Sequence, residues 1–171
     1  GLPTFVTDKD LIRIESKMTP VDKFCAKKWI LEAQDQLISH GITAVGDMSL
    51  DATHVEAFRE ITNEGLLKID FQGVVDAGKV PDLERLGPQT LWNSNDLGPL
   101  GRRAQVQLRH WKKYLDGSFG SRTAWLSQMY SDQESFGDKL ENIDTLVSES
   151  LAAIKKGFYL NTTKHYIGSK L

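Results

Sequence analysis

The chain has 171 residues, 40% hydrophobic and 26% charged, with a net charge of −2 at pH 7 and a pI near 6.1. This balance is that of a soluble globular protein and gives no electrostatic reason for a nucleic-acid or anionic-membrane partner. No apolar run approaches the roughly 20 residues that cross a bilayer, the start Gly1-Leu2-Pro3-Thr4-Phe5 lacks a charged segment ahead of an apolar core, and the single Cys25 excludes an intrachain disulfide or a cysteine zinc cluster; a cytoplasmic location is expected.

Residues 1–18 are weakly patterned and read as an irregular lead-in. Thr19-Pro20 is a good helix start, since threonine caps free amides and proline is pre-organised for a first turn. Ala26, Ile30, Ala33 and Leu37 then recur at helical spacing, flanked by Phe24 and Trp29, until His40-Gly41 closes the helix. Ile42 to Val45 reads as a short buried strand, with Asp47 just past its end. A second helix from Thr53 to Glu64 carries Val55, Phe58 and Ile61 on one face, and Leu67 to Val75 follows as a strand. This alternation of strand and helix predicts βαβ units and a parallel sheet.

Residues 76–104 break the rhythm with Pro81, Pro88, Pro99, several glycines and Asn93-Ser94-Asn95. They read as a long excursion after a strand, a length that is uncommon unless the segment serves a site or carries short helices. The next strand places Val106, Leu108, His110 and Lys112 on one face by the period-two rule, with Gln107, Arg109, Trp111 and Lys113 on the other. Asp116-Gly117 and the glycine and serine run after it stop the strand and open a loop over 117–137. The last helix is predicted from a single stripe of Leu140, Ile143, Val147, Leu151 and Ile154, ended by Gly157.

Three blocks carry a resemblance. Lys112-x-x-x-Asp116-Gly117-Ser118-x-Gly120-Ser121-Arg122-Thr123-Ala124, with Tyr130-Ser131-Asp132 after it, resembles the fourth-strand motif of the amidohydrolase superfamily, closest to its amidohydrolase 3 branch, which includes N-substituted formamide deformylases. Gly157 to Lys170 resembles that branch's fifth strand, with His165 at its histidine and Ser169 where the family usually has aspartate. Gly41-Ile42-Thr43-Ala44-Val45-Gly46-Asp47 resembles its second strand. The resemblance spans most of residues 20–171.

It implies an α/β fold, part of a TIM-type (β/α)8 barrel, with strands two to five over residues 19–171. A complete barrel needs about 250 residues, so half a barrel is expected. The resemblance also implies a metal-dependent hydrolase acting on non-peptide carbon–nitrogen bonds of a small amide-like substrate. Lys112 would be the lysine that is carbamylated to bridge two divalent ions, zinc being the expected metal, and His165 a further ligand. The family's first-strand H-x-H pair is absent among His40, His54, His110 and His165.

Each assignment has a plainer competitor. Asp116 and Arg122 either orient substrate, or Asp116 caps its turn while Arg122 pairs with it. Trp92, Trp125 and Tyr130 either line a pocket or anchor loops. His110 reads as an interior hydrogen-bonded histidine, His40 and His54 as exposed helix-end residues, and Lys113 as an outward lysine packing its stem beside Trp111. Two function classes stay open: part of a metal-dependent hydrolase, inactive as an isolated segment, or a non-catalytic regulatory or scaffold segment of the same shape. Open parallel edges invite pairing, so self-association, or association with the remainder of the barrel, is expected.

Overall fold

The computed structural model describes residues 14, 16–95 and 101–163. Among them run α1 (Lys23–Ser39), β1 (Ala44–Leu50), α2 (Ala52–Asn63), β2 (Asp70–Asp76), α3 (Pro81–Leu86), β3 (Gln89–Trp92), β4 (Gln105–Tyr114), α4 (Ile143–Lys155) and β5 (Tyr159–Thr163). Two compact units result: a sheet unit of Val21–Lys112 with Ser150–Asn161, and a loop unit built on Lys113–Glu149.

In the sheet unit, local chemistry sets the helix starts. Asp22 caps α1, its Oδ1 accepting the Cys25 N–H at 2.7 Å, so the helix starts after Thr19-Pro20 rather than on it. The stripe expected on α1 is also shifted. Ala26 and Gln34 are buried and Ala33 is exposed, while Ile30 and Leu37 pack against the core. Asp51 caps α2 by accepting the His54 N–H at 3.1 Å. Val55, Phe58 and Ile61 are all buried, as the spacing predicts, and the Phe58 ring meets Phe71 of β2 at 4.9 Å.

β1, β2 and β4 are parallel neighbours, and β3 pairs antiparallel with β4. The segment read as a long excursion therefore carries structure. Pro81 begins α3, where its missing N–H costs nothing, and β3 returns along the first four residues of β4, from Gln105 to Leu108. β2 pairs with the same part of β4, so β2 and β3 occupy its two opposite edges. The core lies between α2 and one face of the sheet, where Phe71, Val75, Val106, Leu108 and Trp111 join Phe58, Ile61, Ala153 and Phe158.

One irregularity redirects the strand that matters most. Gly73 pairs with Leu108, but the next residue, Val74, pairs with His110, so Arg109 is an extra residue in β4. Such a bulge inverts the alternation beyond it. Val106 and Leu108 face the helices, and past the bulge that face passes to Trp111, opposite Val75. His110 and Lys112 are thereby turned to the second face, with Gln72 and Asp76. The expected grouping of Val106, Leu108, His110 and Lys112 on one face is corrected accordingly.

The apolar stripe expected to bury α4 is instead its exposed side. Leu140 ahead of the helix and Ile143, Val147, Leu151 and Ile154 along it are each 43–51% exposed, whereas Leu146 and Ala153 are buried. Periodicity identifies an apolar face but not the element that covers it.

Candidate active-site rim

Chemistry in parallel α/β folds collects at the carboxyl ends of the strands, where side chains leave the ladder and helix-linked loops begin. In the sheet unit this rim is formed by the ends of β1, β2 and β4. Lys112 is the strand partner of Asp76, so both side chains project from the same face. The Lys112 carbonyl accepts the Ala77 N–H at 3.0 Å, which fixes this end of the pair.

Asp76 is the residue that sequence reasoning missed. It is 3% exposed, and both of its donors reach one oxygen: Ser49 Oγ donates to Oδ2 at 2.7 Å, and Lys79 Nζ approaches the same atom at 2.8 Å. Its Oδ1 is buried and has no hydrogen-bond partner among the described residues. An acidic residue closing the apolar run Val74-Val75 was the available signal. Asp47, read as lying past the end of its strand, is instead inside β1 opposite Gly73, and its Oδ1 accepts the Ser49 N–H at 3.3 Å.

Below Lys112 on the same face, His110 is held from both sides. Its Nε2 contacts the Gln72 side-chain nitrogen, and its Nδ1 lies 3.4 Å from Asn161 Oδ1. A neutral ring with its hydrogen on Nδ1 satisfies both, accepting from Gln72 and donating to Asn161. Tyr159 stacks at 5.3 Å. His110 is thus hydrogen-bonded as expected, but half-buried rather than interior.

The loop unit holds the remainder of the glycine and serine motif. Asp116 is 1% exposed, and its Oδ2 accepts the Trp125 N–H at 3.1 Å. Arg122 does not pair with Asp116. Its guanidinium instead grips Asp132, Nε reaching Oδ1 at 2.9 Å and Oδ2 at 3.0 Å, and it lies 5.7 Å over the Tyr130 ring. Those hydrogen bonds hold the Asp132 carboxyl below the ordinary aspartate range and raise Arg122 further. Arg122 has φ 63°, a left-handed conformation that is uncommon for a residue with a Cβ. Phe119, Arg122, Leu126, Gln128, Met129, Tyr130, Ser131 and Asp132 line a pocket of about 270 Å³, so Tyr130 is a pocket wall and, through its hydroxyl donated to the Ala124 carbonyl at 3.0 Å, also an anchor. Lys113 does not point outward. Burial draws its ammonium down, but Glu149 and Glu141 more than compensate and raise it above the ordinary lysine value.

Parallel strands, each followed by a helix, with polar side chains gathered at one rim, define a segment of a TIM-type α/β barrel. The amidohydrolase family profile matches residues 7–156, and the chain belongs to that family. Over 92% of its length it superposes on an uncharacterized metal-dependent hydrolase from Pyrococcus horikoshii OT3 with a TM-score of 0.75 at 23% identity. A second uncharacterized metal-dependent hydrolase, from Pyrococcus furiosus, gives 0.74 at 27% identity, again over 92% of the chain. The chain covers 31% and 32% of those proteins, about a third of their length. No curated protein matches it.

Of the implied metal-site residues, Lys112 stands on the rim, while His165 lies outside the described residues. Among the described residues no three His, Cys, Asp or Glu side chains gather as a metal-ligand set. A lysine whose strand partner is a buried aspartate fits one wall of such a site, not the whole of it.

Proposed function

We propose that this chain is part of a metal-dependent hydrolase acting on non-peptide, amide-like carbon–nitrogen bonds of a small molecule. The observation that carries the reading is the position of Lys112: in a chain that belongs to the amidohydrolase family, the motif lysine stands at the carboxyl rim, turned there by the bulge at Arg109. As an ammonium it cannot ligate a cation; as a carbamate it becomes an anionic oxygen donor suited to hard or borderline ions such as zinc. The bound ions would supply an activated water and polarise the substrate carbonyl. Lys112 and His165 are the residues offered as ligands. Asp116 and Arg122, tied to Trp125 and Asp132, act on substrate orientation through the loop they hold.

The exposed stripe of α4 supports association with another copy or with the remainder of a barrel, and no described helix is long and apolar enough to cross a membrane. The test is metal analysis and turnover of the complete protein against a panel of N-substituted amides. Lys112→Ala should lower metal content and reduce turnover by on the order of a hundredfold or more. Full activity without the lysine would overturn the reading.

A further inference from the structure

We propose that Asp76 is a positioning residue for Lys112, its Oδ1 serving as acceptor for the single N–H that a carbamylated lysine retains. This rests on the functional reading above.

The geometry leads there in steps. Asp76 and Lys112 are strand partners on the same face, in strands about 5 Å apart, so the carboxylate lies within reach of the lysine side chain. The donors that fix Asp76, Ser49 Oγ and Lys79 Nζ, are both spent on Oδ2. If Asp76 only anchored the turn from β2 to Lys79, its second oxygen would have been buried for nothing, at a cost in solvation. Yet Oδ1 is buried and has no hydrogen-bond partner among the described residues.

Carbamylation supplies a donor of the right kind. The lysine first loses a proton to become a neutral amine. Carbon dioxide then adds, an N–C bond forms, and a second proton passes to solvent. The product nitrogen keeps one hydrogen, which needs an acceptor fixed in direction so that the two new oxygens face the site. A carboxylate oxygen already immobilised through its twin meets that need.

The complete protein, supplied with zinc and ¹³C-bicarbonate, provides the test. Its readouts are the carbamate carbon resonance and zinc bound per chain, with thermal melting as the check on folding. The wild type should show a resonance that Lys112→Ala removes. Asp76→Asn is isosteric, but its oxygen would be kept by Ser49 and Lys79, leaving an amide N–H₂ toward the lysine. It should therefore need at least about tenfold more bicarbonate for the same occupancy, and Asp76→Ala should do the same. Ser49→Ala, which loosens Asp76 but keeps its Oδ1 as acceptor, should need less extra bicarbonate than Asp76→Asn. If Asp76→Ala does not fold, the isosteric variant decides alone. Wild-type occupancy in Asp76→Asn would sink this inference and leave the hydrolase reading standing. No Lys112-dependent resonance in the wild type would remove the carbamate itself, and this inference with it.

Discussion

Gln34 of α1 clasps the backbone leading into β2 at two points: its Nε2 donates to the Leu66 carbonyl at 2.9 Å, and its Oε1 accepts the Lys68 N–H at 3.0 Å. The side chain is 1% exposed, so its amide has no water as a substitute for these two partners. Gln34→Leu should destabilise the sheet unit by about 1–3 kcal/mol, the cost of leaving buried polar groups unpaired. Urea unfolding of the two proteins checks this; an unchanged midpoint would show that the clasp contributes nothing.

Gly73 of β2 has no room for a side chain. A Cβ there would lie 2.5 Å from Leu50 Cδ1 and 2.8 Å from Leu108 Cδ2, both fully buried side chains. Gly73→Ala should cost about 1–3 kcal/mol through overpacking, and Leu108→Ala in the same chain should recover part of it. Additive losses in the double variant would contradict the proposed clash.

In the loop unit Gly137 has φ 82°, and a Cβ there would fall 1.9 Å from the Ala124 carbonyl oxygen. That neighbour is backbone and cannot swing aside. Gly137→Ala should therefore loosen residues 117–137 by more than the roughly 1 kcal/mol of a left-handed alanine alone, read as faster proteolytic cleavage within the loop. Wild-type cleavage rates would rule the contact out.

The Arg122–Asp132 pair gives this loop an acid limit. Arg122's hydrogen bonds hold the Asp132 carboxyl below its ordinary value, with slight burial opposing. A depressed carboxylate contributes stability that is fully present above the unfolded-state value of about 3.9 and is lost as pH falls through the lower folded-state value. Hydrogen-exchange protection around Arg122 should be level from neutrality to about pH 5 and decline below about pH 4. In Asp132→Asn the loop should be looser near neutrality and this decline absent; an identical acid profile in the variant would refute the role of the pair.

The sequence was informative wherever one local pattern decided the outcome. Helix α2 follows directly from Val55, Phe58 and Ile61 above an aspartate cap, and the glycine and serine motif marked the family that the profile match establishes. It was misleading where the deciding partner is distant. Gln34 belongs to no pattern along the chain; its partners, Leu66 and Lys68, lie 32 and 34 residues away. Asn93 looked like a loop breaker, yet it is 1% exposed and its Oδ1 accepts the Leu67 N–H at 3.2 Å. Asp76 carries no motif; only the pairing of β2 with β4 sets it beside Lys112.

The extra residue in β4 makes that strand sensitive to length in a way composition does not reveal. Removing Arg109 would delete an exposed side chain and no core contact, a change that substitution tables would call mild. It would also restore plain alternation, so that Trp111 and Lys112 exchange sides. The indole would be expelled from the packed layer and an ammonium driven into it. Relatives that vary freely in residue type at position 109 should therefore still conserve its presence.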